Sequence, residues 1–234
     1  MKLEICTNSY QSALNAQKSG AHRIELCSEL AIGGITPSFG LLKRVSEEIS
    51  IPVNVLIRPR SGNFTYSEEE FLLMKENIKL CKELGFNGIV SGILNIDNSI
   101  DIVRTKELIE LSKPLSFTFH RAFDCISNPK KSLETLIELE VDSILTSGSQ
   151  EKAEQGIELL KELNQLANGK ITILPGSGIN SKNAKLFKEA GFKEIHSSAS
   201  KIIHKENSIF FGNMPQTESD ITAIKEILKV IKNA

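Results

Sequence analysis

Neither sign of charge dominates this chain. Against 28 lysines and arginines stand 29 aspartates and glutamates, a net charge of −1 over 234 residues. That balance excludes wholesale attraction of nucleic acid or of an anionic membrane surface. No apolar run approaches the ~20 residues of a membrane-spanning helix, and the opening MKLEICTNSY has no signal-like apolar region, so a cytoplasmic location is expected. Cysteine is scarce. Cys6, Cys27, Cys81 and Cys125 have no CxxC spacing, and a chain of this size needs no staples, so reduced thiols are expected. No serine sits in a GxSxG elbow. Linkers, low-complexity tracts and shifts of composition are also missing, so residues 1–234 are expected to form a single domain.

Periodicity fills the space those absences leave. Eight short β-rich runs, KLEIC, RIELC, VNVLIR, GIVSG, SFTFH, SILTS, ITILP and EIHSS, alternate with amphipathic runs starting near Asn8, Ser38, Ser67, Asp101, Ser127, Gln150, Asn180 and Glu218. Ser67 with Glu70 predicts a capping box, Pro129 suits a first helical turn, and Gly20, Gly85 and Gly191 suit helix ends. Eight βα units in ~250 residues predict a closed (β/α)8 TIM barrel, with an open doubly wound sheet as the alternative.

Strand parity assigns faces. With Leu3, Ile5, Val53, Val55, Ile57, Phe117 and Phe119 turned toward the helices, the barrel axis receives Glu4, Cys6, Glu25, Cys27, Asn54, Leu56, Arg58, Thr118, His120, Glu194, His196 and Ser198. An interior built only for packing is rich in Val, Ile and Leu. This one is polar, which fits either a site at the C-terminal ends of the strands or a buried ion-pair network that holds register.

The stretch FTFHRAFD ends a strand on His120, Arg121 and Asp124. His120, with an ordinary pKa near ~6.5, is the acid/base candidate, and Asp124 or Glu25 could orient it. Arg58 and Arg60 would form a fork for carboxylate or phosphate if the strand continued; alternatively Arg58 pairs with Glu25 and Arg60 meets solvent. PGSGIN after the seventh strand and HSSAS at the eighth place Gly176, Ser177, Gly178, His196 and Ser197 where barrels commonly hold an anion, and LTSGS adds Ser147. The long segment from Ser198 to Ser219 carries adjacent Phe210 and Phe211, expected to cover the mouth or meet a second subunit.

RIELC, GGITPSFG, IRPRSGNFTY, TFHRAFD, ILTSG and PGSGI, in this order, resemble the motifs of the copper homeostasis protein CutC family from about Glu4 to Ser200. The resemblance implies a (β/α)8 barrel, a cytoplasmic homodimer and copper handling, with copper(I) at Cys6 and Cys27. Chemistry on the remaining residues supports another expectation: an enzyme or sensor for a small phosphorylated or carboxylated metabolite, served by Glu25, Arg58, His120 and Asp124. The expected partner is therefore a small molecule or a copper ion.

Overall fold

A ring of eight parallel strands forms because each four- to six-residue run is apolar on the side facing the helices. The computed structural model describes residues 1–205 and 215–233. Its strands are β1 (Lys2–Thr7), β2 (Arg23–Leu26), β3 (Val53–Leu56), β4 (Gly88–Ser91), β5 (Ser116–Phe119), β6 (Ser143–Thr146), β7 (Thr172–Pro175) and β8 (Glu194–Ser197). Hydrogen bonding runs β7-β6-β5-β4-β3-β2-β1-β8, and β7 lies against β8 to complete the ring. The expected (β/α)8 barrel is the observed fold.

Between the strands come α1 (Tyr10–Ser19), α2 (Phe39–Glu48), α3 (Glu68–Glu83), α4 (Ile102–Ser112), α5 (Pro129–Glu138), α6 (Ile157–Ala167) and α7 (Ala184–Glu189), with α8 (Ile221–Asn233) last. Leu3, Ile5, Val55, Phe117 and Phe119 are buried in the layer between strands and helices. Each such side chain contributes roughly 1.5–3 kcal/mol of burial. Local signals start several helices. Ser67 and Glu70 form the predicted capping box, and Asn128 caps α5 with Pro129 in its first turn. Gly20 closes α1 at φ 83°, a backbone conformation that a side chain would strain.

Three helices, α6, α7 and α8, begin three or more residues later than the sequence pattern predicts, α8 at Ile221 rather than near Glu218. Helix α6 starts at Ile157 rather than near Gln150 because the intervening residues fold back on the end of β6. Ser147 Oγ donates to the Gln150 carbonyl, and Gly148 and Gly156 approach so closely that a Cβ on Gly156 would lie 2.1 Å from the Ser147 carbonyl oxygen. Helix α7 starts at Ala184 because residues 180–183 form a turn in which the Asn180 N–H donates to Asn183 Oδ1.

The segment read as a long loop after β8 contains an antiparallel pair, β9 (Ser200–His204) and β10 (Gln216–Ser219). Asn15 of α1 holds β10, donating to the Ser219 carbonyl and to Glu218 Oε1. Asp220 then caps α8 by accepting from the Thr222 and Ala223 N–H groups. Phe210 and Phe211 lie outside the described residues.

Candidate functional site

Strand register decides which inward residues meet. LEIC at residues 3–6 and IELC at residues 24–27 carry Glu and Cys at matching positions of consecutive strands, which suggests Glu4 level with Glu25 and Cys6 level with Cys27, yet the barrel staggers the strands by two residues. Glu4 stands opposite Arg23, and Cys6 opposite Glu25. Such stagger accompanies closure of a tilted sheet. The axis is therefore layered.

The lower layer is an ion network. Glu4 accepts from Arg23 Nε, from Asn54 Nδ2 at 3.4 Å, and from His196 Nδ1 at 2.8 Å. Arg23 Nη2 reaches on to Glu194 at 2.6 Å, tying β2 to β8 across β1. Burial opposes a charge on Glu4, but the His196 hydrogen bond and the Arg23 charge outweigh it and hold the carboxyl down at about 2. Burial likewise opposes a charge on His196, and the Glu4 bond with the Glu25 and Glu4 charges prevails, raising its pKa. Each partner of this buried pair favours the charged form of the other.

Above it opens a cavity of about 520 Å³ at the C-terminal mouth. Cys6, Glu25, Arg58, His120, Asp124 and His196 supply its polar wall, while Leu56, Phe64, Leu145 and Ile179 supply apolar area. Glu25 Oε1 accepts from the Cys6 thiol at 3.6 Å, and its Oε2 is buried without a partner among the described residues. Burial pushes this carboxyl up to about 6. Glu25 and Arg58 form no ion pair. Arg58 instead donates to the Ile32, Gly34 and Gly62 carbonyls at 2.8–3.0 Å, which fastens the loop after β2 and the strand exit. Its Nε has no partner among the described residues.

His120 is oriented by backbone, with neither Asp124 nor Glu25 bonded to it. Its Nδ1 accepts from the Ala122 N–H at 3.2 Å, leaving the proton on Nε2, which is buried and unpartnered among the described residues. Burial and the Arg58 charge lower its pKa to about 3, so the imidazole is neutral. Asp124 lines the cavity and anchors the β6 loop: it accepts from the Ser147 and Ser149 N–H groups and forms an ion pair with Arg121 at 2.8 Å. Ser147 also receives Arg121 Nη2.

The glycine-serine loops carry Ser177, Gly178 and Ser197 to the cavity wall. Ser177 Oγ donates to the Glu151 carbonyl and Ser197 Oγ to the Ile179 carbonyl, so both hydroxyls brace loops. Gly176 lies beneath; a Cβ there would sit 2.5 Å from Leu145. Arg60 points elsewhere, paired with Glu70 of α3 and stacked on Tyr66. The fork with Arg58 required a continuing strand, and β3 stops at Leu56.

Cys6 lines the cavity, and its sulfur lies 3.7 Å from that of Cys27, which is fully buried behind it. The Cys27 thiol contact, burial, and the Cys27, Glu25 and Glu4 charges raise the Cys6 pKa. One ligand atom each from Cys6, Glu25 and His196 lies within 4.8 Å of the others. Inward parity found most of this constellation. It missed Arg23, whose parity with Glu25 and Cys27 was available, and Phe64, which only the folded loop brings over Arg58 and His120.

Fold and site together define a single-domain (β/α)8 barrel with thiols and ionisable groups gathered at its C-terminal mouth. The model of the CutC family matches residues 1–201. Two relatives named as family protein CutC agree with it. The one from Proteus mirabilis is 48% identical over 200 residues, covering 86% of this chain and 80% of its own. The one from Bacteroides fragilis is 42% identical over 240 residues, covering 98% and 96%. A crystal structure named for a copper homeostasis protein CutC from Streptococcus agalactiae superposes with a TM-score of 0.80 at 36% identity, covering 85% of this chain and 98% of that one. The chain belongs to the CutC family.

Proposed function

We propose that the protein serves copper homeostasis by taking copper(I) as its cargo on Cys6 and Cys27, with His196 as the adjoining nitrogen donor. The observation that carries this reading is the 3.7 Å separation of two reduced sulfurs, one of which, on Cys6, belongs to the wall of the mouth cavity. Soft thiolates suit copper(I), and an imidazole completes a donor set that hard divalent cations do not favour. The family name supports the same metal. The Glu4 and Glu25 carboxylates oppose loss of the Cys6 proton, but the same negative surroundings favour an arriving cation. Copper uptake therefore releases thiol protons and strengthens as pH rises.

The expected cytoplasmic location and homodimer belong to this reading. Among the described residues no helix is long and apolar enough to cross a membrane. Sedimentation of the purified protein tests the dimer.

Competition against a copper(I) chelator under reducing conditions tests the site. The double variant Cys6→Ser/Cys27→Ser should bind at least about a hundredfold more weakly than wild type. Equal affinities in two folded proteins would leave the sulfurs as packing and remove the copper reading.

A further inference from the structure

Three buried polar atoms of the mouth are left without partners among the described residues: Glu25 Oε2, Arg58 Nε and His120 Nε2. Their side chains belong to residues only 4–5% exposed, and all three residues line the same cavity. Buried polar groups normally find hydrogen bonds, so three orphans on residues lining one cavity describe a missing molecule by its complement.

The complement is specific. Arg58 is a buried cation whose bonds all go to carbonyl oxygens, and no carboxylate of the described residues pairs with it. A buried charge of this kind calls for a counter-ion. Beside it, His120 accepts a backbone N–H on Nδ1 and so offers Nε2–H as a neutral donor. Two single donors, one of them charged, match the two oxygens of one carboxylate. Glu25 Oε2 is an acceptor and asks for a hydroxyl. The cavity, at about 520 Å³, lies within the ~300–1,000 Å³ usual for small-molecule sites. Leu56, Phe64, Leu145 and Ile179 would cover a short carbon skeleton.

We propose that the mouth cavity binds a small hydroxylated carboxylate, its carboxylate held by Arg58 and His120 and its hydroxyl donated to Glu25. The site adjoins the thiol pair, since Glu25 also accepts from the Cys6 thiol, but it does not depend on copper being bound.

Glycerate is a suitable probe, with propionate lacking the hydroxyls, glycerol lacking the carboxylate, and inorganic phosphate as the alternative oxyanion. With a copper chelator present throughout, glycerate should raise the melting temperature saturably, and propionate and glycerol should need at least about tenfold higher concentrations for the same shift. Glu25→Leu and His120→Phe should each weaken glycerate binding about tenfold or more. The nitrogen resonance of His120 Nε2 in the wild type should move on adding glycerate, a readout that does not require either variant to fold. Glycerate no better than propionate or glycerol, phosphate binding more tightly than glycerate, or an unmoved Nε2 resonance would each overturn the proposal. Because copper is chelated in every arm, these outcomes are independent of copper binding.

Discussion

Glu25 and His120 are driven toward neutrality by the same burial, in opposite directions on the pH scale. Glu25 holds its proton up to about 6. Its folded pKa lies above the ordinary 4.5, so the associated stability is complete below about 4.5 and is lost as pH rises through about 6. Glu25→Gln should therefore stabilise the protein at about pH 8 by roughly 2 kcal/mol relative to its effect near pH 4, measured by urea unfolding at both values. An equal effect at both would mean that Glu25 is ionised without penalty. His120 behaves inversely: with its pKa lowered to about 3, it should keep the chemical shifts of neutral imidazole from about pH 8 to about pH 5. A midpoint near the ordinary ~6.5 would contradict the buried, backbone-bonded ring. Parity alone marked both residues as inward, whereas their charge states depend on neighbours no strand pattern names.

Loops decide the mouth at the scale of elements. The β6 loop is a close backbone approach between Gly148 and Gly156, braced by Asp124. Gly156→Ala would bring its methyl group against the Ser147 carbonyl, a fixed backbone atom. It should lower stability by about 1–3 kcal/mol, read as a fall in melting temperature. A variant as stable as wild type would show that the loop yields freely. The β9–β10 hairpin is held to α1 through Asn15, which is 6% exposed and bonded to both Glu218 and Ser219. Asn15→Ala should speed amide exchange of β10 well before that of β1, since it leaves the ring untouched and strips one tether. Capping boxes and glycine ends were legible in sequence because they are local. The late starts of α6 and α7 were not, because they follow from contacts between segments.

Cohesion of the ring is a property of the whole molecule, and Arg23 contributes to it by bridging β2, β1 and β8. One guanidinium joins Glu4 of β1 to Glu194 of β8 from its seat on β2. Arg23→Met would leave Glu4 buried with a single ionic partner, His196. The expected loss is about 3 kcal/mol in urea unfolding, since removing one partner strands the other charge. A loss below about 0.5 kcal/mol, typical of an exposed pair, would show that Arg23 does not hold the ring.

Alternation of eight apolar runs with eight amphipathic ones was enough to specify the barrel, because burying one face per strand against helices leaves few other arrangements. Parity within each run likewise identified Cys6, Glu25, Arg58, His120 and His196 as facing the axis. Tertiary structure alone decided who meets whom. The two-residue stagger set Cys6 opposite Glu25 and Glu4 opposite Arg23, and the end of β3 at Leu56 sent Arg58 to loop carbonyls and Arg60 to Glu70. The reason is physical: the side-chain period within a strand is a local property, but register between strands follows from closing the sheet, which depends on every strand at once.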